Sequence, residues 1–283
     1  MTVIRDRRDR CPGALRPWQA HDGLLVRLRL VGGHVTAASL RSLAEVSRRF
    51  GDGHVHVTSR ANLQVRALPG SDGQLSQEAL AALEGTGLLP TRTHELVRNI
   101  MVSPLSGISG GRADVRPVAA GLDAFVCGNP TLAELPARFL FVLDDGRGDL
   151  LGRTCDLGLV ALDATVGQVR IGNQWGPVIA LASAPSCLAR LAEGFLTLRG
   201  EGPAAAWHVV ELAEPLGVTG APDPRLPTAI PPIPYGPVPG GRHVAVSDTG
   251  LDLDAVRQLT AGADTLVITP WQGIIVPGEG SHA

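Results

Sequence analysis

Apolar and polar residues alternate along several short stretches of the chain, and a period of two residues predicts β-strands. In residues 22–33, one set of alternate positions is leucine and valine, and the other set contains Arg27 and Arg29. One face of this strand is therefore apolar, and the two arginines share the opposite face. Residues 54–58 and 63–68 show the same alternation on either side of a short polar corner. This arrangement predicts two strands that meet at a turn.

Apolar residues with a helical spacing follow the first strand, and a second helical stretch follows the strand pair. Thr36 is in a position to cap a helix that extends to about Phe50. Ser76 begins the second helix, which glycine and Pro90 terminate. Strand, helix, two strands and helix in this order predict a small α+β unit of the ferredoxin-like kind.

The middle of the chain has a mixed pattern. Residues 94–98 begin like a helix before a turn that is rich in proline and glycine. Residues 138–143 predict a strand that ends in an acidic turn, which we interpret as a solvated turn rather than an ion site. Residues 157–162 and 167–175 predict a hairpin, and residues 187–198 predict a helix.

A proline-rich stretch, residues 222–241, separates the middle of the chain from a closing pattern that resembles the opening one. Its prolines exclude a helix or an inner strand and indicate a stiff, extended connector. The chain then predicts a strand, a helix over residues 253–259 and two further strands. Residues 40–60 and 251–271 have the same length and lead into similar corners, TSRANLQV and TPWQGIIV. These similarities predict an internal duplication.

At 283 residues the chain is long enough for more than one domain. The patterns divide it into five segments. These are an N-terminal arm (residues 1–20), a first ferredoxin-like half domain (21–90), a central α/β domain (91–220), a proline-rich linker (221–241) and a second ferredoxin-like half domain (242–283).

Composition narrows the classes of function. An apolar content of 44% is enough to bury a hydrophobic core. A net charge of −2 and an aromatic content of 4% argue against a general nucleic-acid-binding protein. The N-terminus lacks the apolar run of a secretory signal, and no stretch of about 18 residues is apolar enough to span a membrane. We therefore expect a cytoplasmic protein that has no membrane or nucleic-acid partner.

The cysteines and histidines do not predict a metal site. The cysteines are Cys11, Cys127, Cys155 and Cys187. None belongs to a CxxC or CxxxC pair, so we expect reduced, mostly buried thiols. His54 and His56 share one strand face and could bind iron, but structural histidines are commoner. No metal ligand is assigned.

The corner between the paired strands contains the strongest candidate for a ligand-binding residue. Arg60 lies there with Thr58 and Gln64 beside it, and a guanidinium can hold a carboxylate through paired N–H donors. The alternative for Arg60 is an exposed turn arginine, and for Arg27 and Arg29 it is an ordinary solvated strand face. Because arginine stays protonated near neutral pH, these residues can bind and orient a ligand, and the catalytic residues stay unknown.

Five stretches, taken in order, resemble the nitrite/sulfite reductase family, and within it the precorrin-3B synthase branch of aerobic cobalamin biosynthesis. They are DGLLVRLRLVGG, TSRANLQ, VRNIMVSPLSG, LPARFLFVLDDGRGD and TPWQGIIVPG. The resemblance implies an α+β fold in which two ferredoxin-like half domains pair by pseudo-twofold symmetry and flank a central mixed α/β nitrite/sulfite reductase-like domain. It also implies a basic cleft for a carboxylate-rich tetrapyrrole, either a precorrin substrate or a siroheme-like group.

The resemblance assigns tetrapyrrole binding to residues that match the family's motifs, such as T-x-R-x-x-x-Q and an Arg-Asn pair. The implied binding residues are Arg27, Arg29, Thr58, Arg60, Gln64, Arg98, Asn99 and Arg138. Arg138 matches the first basic position of the L-P-x-K-F-K segment of sulfite reductases, whereas the second basic position is Leu140 in this chain. That difference weakens the case for sulfite or nitrite reduction.

Enzymes of this family also hold a [4Fe–4S] cluster through two cysteine pairs, and none of the four cysteines fits that pattern. We therefore expect a precorrin-3B synthase-like oxidoreductase that is truncated, split or degenerate. Its implied partners are an electron donor, either a reductase or a ferredoxin, and a separate cluster-bearing chain if the enzyme is split. The alternatives are a siroheme-containing sulfite or nitrite reductase relative and a non-catalytic tetrapyrrole-binding protein.

Overall fold

The computed structural model describes residues 11–278, which group into two compact units. The continuous unit is Val97–Pro232, and the two-part unit combines residues 11–96 with residues 233–278. Half of the predicted N-terminal arm, residues 1–10, lies outside the described residues. No helix in the described part of the chain has the length and apolar character that crossing a lipid bilayer requires.

The described chain contains both helices and strands. The α-helices are α1 (Ala37–Phe50), α2 (Gln77–Glu84), α3 (Arg116–Gly128), α4 (Ala184–Leu198) and α5 (Leu253–Leu259). The strands are β1 (Trp18–Ala20), β2 (Gly23–Leu28), β3 (His34–Thr36), β4 (His56–Val57), β5 (Leu63–Leu68), β6 (Gly70–Ser71), β7 (Gln74–Leu75), β8 (Ile100–Val102), β9 (Phe141–Asp144), β10 (Leu157–Ala161), β11 (Val166–Ile171), β12 (Gln174–Ala180), β13 (Gly236–Val238), β14 (Gly241–Ala245), β15 (Thr265–Thr269) and β16 (Gly273–Pro277).

The two halves of the two-part unit share a sheet and a hydrophobic core. One sheet has the order β1-β2-β5-β4, and the other has the order β13-β14-β16-β15-β3. Strand β3 comes from the first half but pairs with β15 of the second half, where Val35 lies opposite Leu266. Helix α1 packs against α5, and one core cluster contains Leu43 from the first half and Ile274 from the second. The predicted α+β fold with paired ferredoxin-like halves is confirmed.

Local capping explains where the helices of the first half begin. The Thr36 hydroxyl accepts a hydrogen bond from the Ser39 N–H (3.0 Å), and the Ser76 hydroxyl accepts one from the Ala79 N–H (3.2 Å). Each hydroxyl satisfies a backbone donor that the first helical turn leaves without a helical partner. The start of both helices, predicted from these two residues, is confirmed.

The continuous unit is built on a five-stranded sheet with the order β12-β11-β10-β9-β8. Strands β8, β9 and β10 run parallel, whereas β10, β11 and β12 are antiparallel. Helices α3 and α4 pack against each other. The sheet is therefore mixed, as predicted for the central domain, and the β10–β11 hairpin is confirmed.

Several features differ from the sequence expectation. Residues 94–98 form no helix; the Glu95 carboxylate accepts from the N–H groups of Ala14 (2.7 Å) and Leu15 (2.8 Å), and the Glu95 backbone carbonyl accepts from Arg29 Nη1 (3.4 Å). Helix α3 and strand β3 were not predicted. A three-residue strand carries almost no periodic signal, and the partner of β3 lies far away along the chain.

The five segment boundaries predicted from the sequence stay predictions. The structure adds that residues 221–235 form neither helix nor strand and that β13, which follows them, is an edge strand. An edge position suits Pro237 within β13, because proline has no N–H to donate to an inner ladder.

Candidate functional site

The predicted tetrapyrrole-binding residues divide between the two units, and the hydrogen bonds of each side chain define its environment. The two-part unit holds Arg27, Arg29, Thr58, Arg60 and Gln64. The continuous unit holds Arg98, Asn99 and Arg138.

The corner between β4 and β5 is a tight turn built around Thr58. The Thr58 N–H donates to the Asn62 carbonyl (2.9 Å), and its hydroxyl accepts from the Asn62 N–H (3.2 Å). The Asn62 side chain, 1% exposed, accepts from the Leu30 N–H (2.9 Å) through Oδ1. Ala61 has a left-handed backbone conformation, with a φ of 55°. Arg60 therefore lies on a backbone that is held in place before any ligand binds.

Arg27 has an unused hydrogen-bond donor. It lies opposite Gln64 on the neighbouring strand, and its Nη2 donates to Gln64 Oε1 (3.3 Å). Its Nε is buried and has no hydrogen-bond partner. Burial lowers the pKa of Arg27; Cys11 opposes this effect, and the like charge of Arg60 adds to it. A buried guanidinium with an open donor and a positive neighbour is stabilised by an anion.

His56 lies on β4, in register with Gln64 on β5 and Arg27 on β2. It lies opposite Gln64, and its Nε2 is 2.8 Å from Asp52 Oδ2. His54 Nδ1 is 3.0 Å from the Asp52 backbone oxygen. Both histidines are thus tied to Asp52, and neither belongs to a cluster of three or more metal-ligating side chains within residues 11–278.

Arg29 organises the start of the two-part unit. Its side chain is buried, and Nη1 donates to the carbonyl oxygens of Pro12 (3.1 Å) and Glu95 (3.4 Å). The Glu95 carboxylate in turn accepts from Ala14 and Leu15. Arg29 therefore helps to hold residues 11–16 in place.

Arg98, in the continuous unit, forms a paired contact with Asp123 of helix α3. Its Nε donates to Oδ1 (2.6 Å) and its Nη2 donates to Oδ2 (2.8 Å). Burial disfavours the charged guanidinium, but the hydrogen bonds and the charge of Asp123 outweigh it, so the pKa of Arg98 is raised. With an exposure of 9%, Arg98 has the environment of a buried ion pair. Sequence reasoning missed Asp123 because it missed the helix that carries it.

Asn99 and Arg138 have opposite environments. Asn99 is buried, and its Nδ2 donates to the Ala137 carbonyl (3.0 Å). Arg138 is exposed, and its guanidinium carbon lies 5.3 Å from the centre of the Trp207 ring. This distance is within the range of a cation–π contact.

A histidine–aspartate pair lies next to Trp207 in the chain and was missed by sequence reasoning. His208 Nδ1 is 3.2 Å from Asp156 Oδ1, and Asp156 Oδ2 accepts from the Leu140 N–H (2.8 Å). Leu140 itself is buried. Nothing in the sequence spacing connects His208 to Asp156, since the two residues meet only in the folded unit.

The acidic turn after β9 is buried, which corrects the expectation of a solvated turn. Asp144, Asp145 and Asp149 are 1%, 0% and 7% exposed. Gly146 and Gly148 adopt positive φ values of 90° and 88°, which let the chain fold back so that its own N–H groups surround Asp144. Local backbone donors therefore replace the water that an acidic turn usually binds.

Residues 11–278 contain no set of side chains that could ligate an iron–sulfur cluster. All four cysteines are free thiols, and burial raises the pKa of Cys155 to about 11. Cluster ligation requires thiolates, and no group of three ligating side chains in the described chain includes a cysteine. The residues present do not fit a [4Fe–4S] cluster.

Sequence comparison connects the first half of the two-part unit to a known family. Residues 18–83 match the family described as nitrite/sulfite reductase ferredoxin-like half domain. The chain is 32% identical over 171 residues to a precorrin-3B synthase from Sinorhizobium sp, which covers 59% of this chain and 35% of that relative. It is 31% identical over 142 residues to a ferredoxin–nitrite reductase from Leptolyngbya laminosa, covering 48% of this chain and 27% of that relative.

Further comparisons extend the similarity to plant and mycobacterial proteins. A chloroplastic ferredoxin–nitrite reductase from Arabidopsis thaliana is 34% identical over 122 residues, which cover 41% of this chain and 20% of the relative. The structure of the Mycobacterium tuberculosis NirA protein superposes with a TM-score of 0.65 and 21% identity, covering 89% of this chain and 53% of that chain. NirA therefore shares the fold. The alignments span about a third or less of the lengths of the curated relatives.

Proposed function

Because the chain is a relative of the nitrite/sulfite reductases that carries their ferredoxin-like half domain, we propose that it is an oxidoreductase of the precorrin-3B synthase type. Its proposed substrate is a carboxylate-rich tetrapyrrole of cobalamin biosynthesis. The alignment with a precorrin-3B synthase supports this choice, since it is longer than those with the two nitrite reductases.

The buried Arg27 Nε without a partner is the observation that carries the proposal. A carboxylate of the ring at the partly exposed Arg27 side chain would offset the cost of burying its charge and the repulsion between Arg27 and Arg60. A hydrogen bond between two charged groups contributes about 1.5–3 kcal/mol. Gln64, already in contact with Arg27, would hold the guanidinium in the binding orientation.

We assign different roles to the predicted binding residues according to their present partners. Direct contact with the ring is proposed for Arg27, Thr58, Arg60 and Gln64 of the two-part unit. Arg29 is proposed to support the site, because it already binds protein carbonyl groups. Arg98 and Asn99 likewise bind protein groups within the continuous unit, and we propose structural roles for them there.

The residues of this chain would bind and orient the ring and would not transfer protons, because arginine stays protonated. No redox step is assigned to them, since the described residues do not fit the family's cluster. Two relatives are named as ferredoxin–nitrite reductases, and we propose a ferredoxin-class electron donor for this chain as well.

A titration with uroporphyrin III, an octacarboxylate tetrapyrrole, tests the binding proposal. The wild-type chain is expected to quench the porphyrin fluorescence in a saturable way, and Arg27→Gln is expected to weaken binding by about tenfold or more. Arg48→Gln is the matched control, because Arg48 is an exposed arginine of α1 whose side chain is 62% accessible. The proposal fails if Arg27→Gln and Arg48→Gln bind equally well, or if the wild-type chain does not bind.

A siroheme-dependent nitrite reductase is the second candidate, and the nitrite reductase relatives favour it. The buried Leu140 argues against it, because an apolar residue stands where sulfite reductases have a second basic one. Incubation with siroheme, followed by a nitrite-consumption assay with chemically reduced ferredoxin, separates the candidates. Turnover would favour the second candidate, whereas porphyrin binding without turnover on any ring would indicate a non-catalytic binding protein.

A further inference from the structure

A buried acidic loop follows β9 at the edge of the sheet where the parallel strands β8, β9 and β10 end. It contains Asp144, Asp145 and Asp149, and oxygen atoms of all three lie within 4.8 Å of one another. The same loop contains Arg147, whose Nε (2.9 Å) and Nη2 (2.6 Å) donate to the Asp145 carboxylate. The loop thus sets three carboxyl groups against one guanidinium.

Neighbouring segments contribute little further positive charge to the carboxyl groups. Arg112, from the segment after β8, donates its backbone N–H to the Asp145 carbonyl (2.7 Å). Its guanidinium donates instead to the carbonyl oxygens of Leu162 and Arg225. Ser103, directly after β8, is uncharged. The charge of the loop is therefore set by Arg147 and the three aspartates.

Two of the three aspartates are fully supplied with donors. Asp144 Oδ1 accepts from the N–H groups of Gly146 and Gly148, both at 2.9 Å, and Oδ2 accepts from the Leu150 N–H (3.0 Å). Asp145 is held by Arg147. Burial raises the pKa of Asp144, and the three backbone N–H donors oppose this effect.

Asp149 differs from its neighbours. Its Oδ1 accepts from the Ser103 hydroxyl (2.6 Å), but its Oδ2 is buried and has no hydrogen-bond partner. An ionised carboxylate with a bare oxygen in a buried place is costly. A proton on Oδ2 removes the charge and turns the oxygen into a donor for a neighbouring carboxylate. Adjacent carboxyl groups commonly share one proton in this way.

We propose that Asp149 is protonated below neutral pH and ionises as pH rises, which makes the loop a pH-sensitive latch. The protonated latch is closed, because Asp144 then keeps the backbone of residues 146–150 folded around its oxygens. Ionisation of Asp149 places a negative charge on an oxygen without a hydrogen-bond partner, close to Asp144, and loosens the loop. The Gly148 carbonyl accepts from the Ile230 N–H (3.1 Å), so loosening also releases the segment around residue 230. The latch is independent of tetrapyrrole binding.

The direction of the pH effect follows from the environment of Asp149. Burial, and after it the charge of Asp144, raises the pKa of Asp149 to about 7, although Ser103 and Arg147 act in the opposite direction. Between the ordinary pKa of 3.8 and this value, the closed loop binds more protons than the open loop. Stability is therefore complete at low pH, falls as pH rises towards about 7, and stays low above that value.

Hydrogen exchange of the amides of Gly146, Gly148 and Leu150 in the full chain tests the latch. After correction for the intrinsic exchange rate, the opening constant of the wild-type loop is expected to rise about a hundredfold between about pH 5 and about pH 7, one proton per opening event. In Asp149→Asn the amide replaces the protonated carboxyl group, and the opening constant is expected not to change with pH. Asp72→Asn, an exposed turn residue of the β6–β7 hairpin, is the control and should retain the wild-type slope.

A second measurement does not depend on the folding of a variant. The wild-type protein is expected to show the infrared band of a protonated carboxyl group near neutral pH, and this band should disappear as the solution becomes alkaline. A flat opening constant in the wild type, an unchanged slope in Asp149→Asn or the absence of the infrared band would overturn the proposal. So would protection by added calcium or magnesium that Asp149→Asn abolishes, because the loop would then bind a metal ion instead of a proton.

Discussion

Ala61 and Gln272 have the same left-handed backbone conformation, with φ values of 55° and 56°, at corresponding positions of the two half domains. Each lies in the corner between two antiparallel strands, and those strands pair in the same register. The matching pairs are Val57–Leu63 and Ile268–Ile274. A non-glycine residue rarely adopts a positive φ, so its recurrence at one position supports the internal duplication that the sequence predicts.

The two corners differ in chemistry. Trp271 stands in the second corner where Arg60 stands in the first. Gly273 replaces Asn62, and a side chain at Gly273 would collide with the ring of His243. The second corner is thus filled by packing, whereas the first presents a guanidinium near Arg27. This difference is the reason why the proposed anion site lies in the first half domain.

The backbone strain at Gln272 can be measured directly. A non-glycine residue in the left-handed region costs about 1–2 kcal/mol, so Gln272→Gly is expected to raise the free energy of unfolding by about 0.5–1 kcal/mol, after the entropy cost of glycine is subtracted. Gln272→Val is expected to lower it, because a β-branched residue tolerates this conformation poorly. Urea denaturation provides the measurement, and Gln74→Val on the exposed strand β7 is the control. Equal effects of the two valine variants would contradict the assignment of strain.

Arg27 is expected to contribute to binding at the expense of stability. Arg27→Met keeps the aliphatic stem but removes a buried guanidinium whose Nε has no partner. We expect the free energy of unfolding to stay unchanged or to rise by up to about 1 kcal/mol, while uroporphyrin binding weakens by about tenfold. Urea denaturation and the fluorescence titration check the two effects separately. A clear loss of stability would mean that Arg27 has a structural role.

Arg98 is expected to behave in the opposite way. Arg98→Met leaves the Asp123 carboxylate, whose side chain is 21% exposed, without its partner, and we expect a loss of about 1–3 kcal/mol. The double variant Arg98→Met with Asp123→Leu removes both charges and is expected to recover most of this loss. Urea denaturation of the two single variants and the double variant gives the coupling free energy. Additive effects would show that the two side chains do not depend on each other.

His243 is expected to make the two-part unit sensitive to acid. Its ring is buried; Nδ1 lies 3.1 Å from the Ile233 carbonyl and Nε2 lies 3.0 Å from the Thr269 hydroxyl. Burial lowers the pKa of His243 below its ordinary value of 6.5, although the carbonyl contacts oppose the effect. The unfolded chain therefore takes up this proton first, so stability is complete above about pH 6.5 and falls as the solution becomes more acidic.

The effect of His243 can be separated from that of other titratable groups by hydrogen exchange in β14, which contains His243, and in β16, which pairs with it. The opening constant of these strands is expected to rise on acidification in the wild type and to lose this dependence in His243→Gln. His21→Gln is the control, because the side chain of His21 is 87% exposed. Retention of the acid dependence in His243→Gln would assign it to another group.

The sequence by itself determined the local elements and the class of fold. Thr36 and Ser76 predict helix starts because a capping hydroxyl acts on a backbone N–H only three residues away. Alternation predicts β2, β5 and the β10–β11 hairpin because successive strand residues point to opposite faces. Motif resemblance then led to the ferredoxin-like halves and to a candidate set of arginines.

Only the tertiary structure decided what each of those arginines does. Arg27 keeps an unused buried donor, Arg29 holds two carbonyl groups and Arg98 binds Asp123. The same holds for the burial of the acidic loop and for the pairing of β3 with β15. In each case the partner lies far away in the sequence, or the effect depends on exclusion of water. A residue's type and its neighbours along the chain encode neither of these, since burial and long-range contact arise only when the chain is packed.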